Sequence, residues 1–378
     1  MAIAAVAIAG CAPEEIRGPQ TVRVIVFDAA RDRFQLADRK LDTLEELTGL
    51  HGATTEFRTG ARLVRDARDE KQSLTCAEFS DSFVEDGGGR PSLSFIDDNG
   101  VWVAEDFDSL VMVSTYYNFE FSREFFVAAG VPVGDLDRST TFYEPTLISY
   151  DSEGGRSLGF DPQAFEPCIA AFVFFAGDPL QEIPQGANLG VAAHEYSHLV
   201  FDRVVYGGRG EDSTLVPSNQ AASRRLLALN EGLADYFGAA IVGNPRFVSR
   251  TLATSTSALR NLVPGAAWAQ ALEDTLVTSP TADGYGMGTV WASLLWDVAI
   301  ALPDGQAAAA SLALRMLDSL KSARASAVET RQVLDALFAS ATAEQAGDDG
   351  AQLNALCDAF DARFFQFRLF DITEKCGP

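Results

Sequence analysis

Histidine is the scarcest informative residue in this chain, three in 378, so where each one sits carries meaning. Basic residues are also short: 29 Lys and Arg stand against 53 Asp and Glu, a formal charge of −24. Such a surplus repels phosphate backbones and anionic lipid heads, which sets nucleic acid aside as a partner. Long apolar runs are missing too. Beyond the first ten residues, MAIAAVAIAG, nothing comparable recurs, and that stretch is too short to span a bilayer as a helix. No repeat of 20 to 50 residues and no low-complexity tract is present. What remains is ordinary globular usage, 47% apolar and 22% charged, which excludes disordered, collagenous and fibrous chains.

The apolar start ends at Cys11, and Ile8-Ala9-Gly10-Cys11 resembles the lipobox of bacterial lipoproteins. The resemblance implies export, with the chain lipid-anchored through Cys11 at the cell envelope or secreted, and with no other membrane contact. If Cys11 carries lipid, Cys76, Cys168, Cys357 and Cys376 remain, an even number that permits two disulfides in three pairings. A local Cys357–Cys376 bridge is the preferred one, because it would staple the C-terminal tail to the last helix. None of the four has the close spacing of a cysteine zinc site.

The length suits two to three domains or one large domain with a second lobe. Residues 1–20 read as signal and tether, 21–185 as a mixed lobe and 186–378 as a helical lobe. In the mixed part, Val22–Phe27 and Val101–Val103 predict strands, and Asp106 or Asp108 would cap a helix running to Gly130. The continuous apolar run Cys168–Phe175 suits a buried or an edge strand. Helices are expected at 188–206, 220–242, 286–302, 306–322 and 327–341, with a last one from about 349. The fold class is therefore α+β: a β-rich N-terminal lobe with an edge strand leading to the His-bearing helix, then a mainly helical lobe.

Two histidines share the pentapeptide His194-Glu195-Tyr196-Ser197-His198 inside a predicted helix. At about 100° per residue, positions i and i+4 lie about 40° apart, so both imidazoles can reach one ion from one rigid element. Glu195 is rotated aside, free to take a proton from a water on zinc instead of binding the metal. Two imidazoles do not complete a zinc site. His51, beside Gly49 and Gly52, reads as a solvated loop residue. The better third ligand is Glu231 in Asn230-Glu231-Gly232-Leu233-Ala234-Asp235, with Asp235 one turn on, placed to accept the other ring N–H of His194.

HEYSH followed by NEGLADYFG resembles the gluzincin zinc peptidases, in particular the thermolysin and fungalysin families. Asp202, four after His198, matches an Asp of the thermolysin-like enzymes, and Gly284–Asp297 is similar to a downstream fungalysin helix. The likeness runs from about residue 105 to 300 and is strongest over 188–240. It implies a two-lobed metallopeptidase with the zinc helix at the floor of the cleft, a peptide or protein substrate, zinc on His194, His198 and Glu231, and Asp235 and Asp202 in support; calcium is possible, as in thermolysin. One position departs: where those families carry a histidine three residues before the Gly-x-Val-Trp run, this chain has Tyr285. A phenol can donate to a developing oxyanion, as in gluzincin aminopeptidases, so Tyr285 takes that role, with Tyr206 the alternative. The expected reaction is peptide hydrolysis with Glu195 as general base, the substrate adding as a strand to Ala171, Phe172 and Val173. The rival readings are an aminopeptidase and a zinc-holding surface lipoprotein that binds a partner; a retained Glu195 argues against the latter, since a structural site needs no base.

Overall fold

The structure, a computed structural model, describes residues 15–66, 76–136, 138–150, 156–159, 164–175, 182–208, 220–249, 251, 258–279, 284–321, 328–343, 350–368, 370 and 372–377. Its N-terminal part opens with β1 (Gln20–Asp28), β2 (Arg33–Leu41), β3 (Leu44–Glu46), β4 (His51–Gly52), β5 (Thr55–Thr59) and β6 (Arg62–Asp66). Helix α1 (Cys76–Phe83) precedes β7 (Val84–Asp86), β8 (Phe95–Asp98) and β9 (Val101–Ala104). The long helix α2 (Phe107–Ala128) then leads to β10 (Ser139–Tyr143), β11 (Thr146–Tyr150), β12 (Arg156–Gly159), β13 (Ala164–Glu166) and β14 (Ala171–Phe174). From Leu189 onward the regular elements among the described residues are helical: α3 (Leu189–Phe201), α4 (Gln220–Val242), α5 (Gln270–Thr278), α6 (Tyr285–Ala301), α7 (Gly305–Leu320), α8 (Thr330–Ala343), α9 (Ala351–Arg363) and a final turn, Thr373–Cys376. The α+β class, with sheets first and helices after, is the architecture found.

Three sheets have the strand orders β2-β1-β9-β8, β13-β14-β10-β5-β4-β3 and β12-β11-β6-β7. In the six-stranded sheet β10 runs parallel to both β5 and β14, whereas β13 is antiparallel to β14, pairing Ala164 with Val173 and Glu166 with Ala171. All four residues of β14 are buried, the pattern of a strand covered on both faces. Phe172 and Phe174 pack on Phe119 of α2, with centroids 4.4 and 5.5 Å apart, and enter the main core with Tyr196. Ala171 and Val173 face the other way, into a smaller core shared with Phe83 of α1 and with Ala61, Leu63, Phe142 and Leu147. The expected edge at Ala171, Phe172 and Val173 is therefore corrected. β13 covers that side of β14, and β13 itself is the outer strand.

Helix α2 begins where the sequence placed its cap: Asp106 accepts the Ser109 N–H at 2.7 Å. Helix α3 is capped by Asn188, whose Oδ1 accepts the Gly190 N–H at 2.9 Å, and nearly all of it is buried. Beyond Phe201 the turn widens into a π-helical stretch, Asp202–Tyr206, that stops at Gly207 with φ +67°. Helix α4 ends at Gly243, φ +70°, where Asn244 N–H reaches back to the Ala239 carbonyl.

Small residues set how closely these helices approach. A Cβ on Gly190 would stand 2.4 Å from the Phe247 carbonyl oxygen, and one on Gly238 would stand 2.8 Å from the Gly190 carbonyl oxygen. At the α4–α6 crossing a Cβ on Gly232 would meet the Gly288 carbonyl oxygen at 2.3 Å. Backbone thus lies on backbone next to His194, Glu231, Asp235 and Tyr285.

Two disulfides close the fold. Cys357–Cys376 is the expected local bridge, and Cys76–Cys168 joins residues 92 apart. Cys11 lies outside the described residues. No helix among those described is long and apolar enough to cross a membrane.

Candidate metal centre

His194 and His198 leave α3 one turn apart, and Glu231 leaves α4 toward them. Ligand atoms of these three residues lie within 4.8 Å of one another, and no other group of three metal-ligating side chains closes in this way among the described residues. The two Nε2 atoms are 3.0 Å apart, and Glu231 Oε2 is 3.5 Å from His194 and 3.8 Å from His198. A tetrahedron with bonds of ~2.0–2.1 Å has edges of about 3.3 Å, so the triangle is the right size for zinc.

The outer ring atoms are each taken. His194 Nδ1 lies 3.0 Å from Asp235 Oδ1, and His198 Nδ1 lies 2.9 Å from Asn230 Oδ1. With Nδ1–H donating to these oxygens, each neutral imidazole turns an Nε2 lone pair toward Glu231, a form His194 reaches when its second proton leaves. Glu231 Oε2 is buried and accepts no hydrogen bond. A buried carboxylate oxygen facing two imidazole nitrogens 3.0 Å apart needs positive charge between them, supplied by the proton on His194 in the metal-free chain and by a metal ion once that proton is displaced. The residues present fit a zinc ion.

Glu195 is not part of the triangle. It is 6% exposed, and its Oε2 accepts the Phe165 N–H of β13 at 3.0 Å. Burial pushes its carboxyl above the usual range, against the pull of the two imidazoles. Burial also presses on Glu231 and Asp235, yet both stay below the ordinary range, Glu231 through His198 and His194, Asp235 through Arg260 and His194. His194 is driven down by burial and by Arg260, but the carboxylates of Asp235 and Glu231, 3.0 and 3.5 Å from its ring nitrogens, outweigh them and hold it at about 9 before a metal binds.

No known protein family matches the sequence, and no curated protein matches it. The solved precursor of protealysin, a metalloproteinase from Serratia proteamaculans, is similar in shape. Its TM-score is 0.46 at 16% identity, over 80% of this chain and 86% of that one. What this chain can do is decided by its side chains.

Two of those were not assigned from the sequence. Arg260 is buried and grips Asp235 through Nε, 3.0 and 3.3 Å from the two oxygens, and through Nη2. Its guanidinium carbon lies 4.8 Å from the Tyr285 ring centroid and 5.6 Å from that of Phe247. Nothing local marks it, because a lone arginine without helical or strand period reads as a solvated loop charge. Asn230 was visible beside Glu231, and holding His198 is its task here. Asp202 is buried at the C-cap of α3, and among the described residues His198 Nδ1 is bonded to Asn230 and not to Asp202. Tyr285 opens α6, 39% exposed, and burial together with the charge of Glu231 keeps its phenol protonated well beyond neutral pH. Tyr206 is buried against Phe201. His51 lies in β4, half-buried between Glu45 and Glu46, 3.6 and 3.3 Å from their carboxylates, and is not a solvated loop residue. Of the acidic pairs weighed for calcium, Asp97 and Asp98 serve the β8–β9 turn, Asp97 accepting the Gly100 N–H and Asp98 lying 3.4 Å from Arg23; Asp348 and Asp349 lie outside the described residues.

Proposed function

We propose that the chain is a zinc metallopeptidase that cleaves within extended peptide or protein substrates. The observation that carries this reading is the triangle of His194 Nε2, His198 Nε2 and Glu231 Oε2 with Glu195 beside it, oriented by a backbone N–H and left out of the ligand set. A zinc ion held by the three ligands would supply a Lewis acid that acidifies water and polarises a peptide carbonyl.

The chain's own residues do the rest. Glu195 takes the proton of the attacking water and returns it to the departing amine. Tyr285, protonated at every relevant pH, donates to the oxygen that gains charge. Asp235 and Asn230 keep the imidazoles in the ligating tautomer, and Arg260 fixes Asp235 in turn. With its Phe165 N–H given to Glu195, β13 has the Phe165 carbonyl left on its outer edge to accept from an extended substrate. The two disulfides support an exported protein, and the Cys11 lipobox supports its anchoring.

Glu195→Gln is the test. Zinc content by elemental analysis is expected to match the parent, with hydrolysis of a denatured protein lower by about 10²–10⁴-fold, and a chelator should silence the parent. Equal cleavage by the Gln variant would overturn the general-base assignment. A chain that binds no zinc would overturn the whole reading.

A further inference from the structure

Strand β13 is three residues long, and among the described residues it pairs with β14 alone. Yet its Phe165 N–H, the one amide of the strand turned away from β14, reaches Glu195, so the place of this strand decides where that carboxylate lies. Such a strand needs to be held from somewhere else. Immediately after Glu166 the chain turns through Pro167-Cys168-Ile169, and Cys168 is bonded to Cys76, the first residue of α1, with Cα atoms 4.8 Å apart. Helix α1 lies on the back of the hairpin, with Phe83 in the small core that takes Ala171 and Val173, and Phe79 and Ile169 against it.

We propose that the Cys76–Cys168 disulfide is a positioning brace for the site: it clamps the β13–β14 turn to α1, so that the Phe165 N–H stays on Glu195 and the outer edge of β13 stays in register beside it. This rests on the peptidase reading above. The brace acts through the hairpin and touches no ligand of the metal. The other disulfide, Cys357–Cys376, ties α9 to the C-terminal turn and serves as a control. A water-soluble phosphine opens the brace: phosphorus attacks one sulfur and expels the other as thiolate, and water then releases the first as a second thiol, leaving the phosphine oxide.

The test compares the full-length, zinc-loaded parent with C76S/C168S and C357S/C376S, below the unfolding temperature of each. Zinc per chain is expected to be the same in all three. In C76S/C168S the Phe165 amide should exchange with solvent about tenfold faster or more. Its kcat/KM should fall by about 10- to 100-fold, mostly in kcat, as expected when a reacting group is displaced by about 1 Å. C357S/C376S should keep the parent's kcat, KM and Phe165 exchange. Should C76S/C168S not fold, phosphine treatment of folded C357S/C376S, which keeps the brace and lacks the control bond, is expected to give the same losses at unchanged zinc content, and reoxidation to restore them. Unchanged Phe165 exchange on opening the bond, or unchanged kcat and KM with only a lower melting temperature, would overturn the brace. A parent that cleaves no peptide would count against the peptidase reading, and the exchange measurement would still decide the brace.

Discussion

The helix pair α3–α4 and the hairpin β13–β14 meet at neighbouring glutamates, Glu231 and Glu195, and they are held in place by different means. In the helices every ligand rides on a backbone whose hydrogen bonds are internal, and Gly190 and Gly238 bring the two axes together inside the main core. The hairpin has three residue pairs, a small core behind it and a disulfide at its turn. Metal content should follow the helices, whereas rate at constant metal content should follow the groups around them.

The sharpest break of that contrast is Glu231→Ala. It removes the third ligand and leaves two close lone pairs, so the purified chain is expected to hold far less than stoichiometric zinc by elemental analysis, with loss of cleavage as a consequence. Tyr285→Phe should behave in the opposite way. Full zinc content with kcat lower by about 10²–10³-fold, roughly 2.7–4 kcal/mol, is what loss of one oxyanion donor gives, and steady-state kinetics with a metal assay reads both. Asp235→Asn lies between these, freeing His194 Nδ1 and stripping Arg260 of its partner; competition with a chromogenic chelator should show zinc affinity lower by about 10- to 100-fold.

The smallest effect is a proton count. Because His194 holds its proton to about pH 9 in the metal-free chain, zinc binding at pH 7 should expel it, and affinity should climb with pH until about 9. Calorimetry in buffers of different ionisation enthalpy measures this release. The metal-free chain carries the reverse dependence. A folded value above the ordinary 6.5 gives stability that is complete below about pH 6.5 and is lost as pH rises through 9.

The helical half of this contrast was legible in the sequence. Spacing by four puts His194 with His198, and Glu231 with Asp235, on single faces whatever the rest of the chain does, and α4 runs over the residues expected, 220–242. The strand half was not. The apolar run ending at Phe175 signals burial on both faces, and nothing in it says which neighbour lies on which side. The three residues of β13 are too few for a period, and their place depends on pairing with β14 and on a bond to a cysteine 92 residues away. Arg260 was hidden for a related reason: its meaning comes from Asp235, Phe247 and Tyr285, which only the fold brings around it.

Where glycine backbones touch, the spacing of α3 and α4 is fixed by atoms that cannot be shortened. The distance between the backbones that carry Glu231 and the two histidines is therefore set by main chain. Exchanging the imidazoles for carboxylates would change the chemistry of the cage and leave that backbone spacing as it is. The reach asked of each of these side chains is written partly in side chains that are not there.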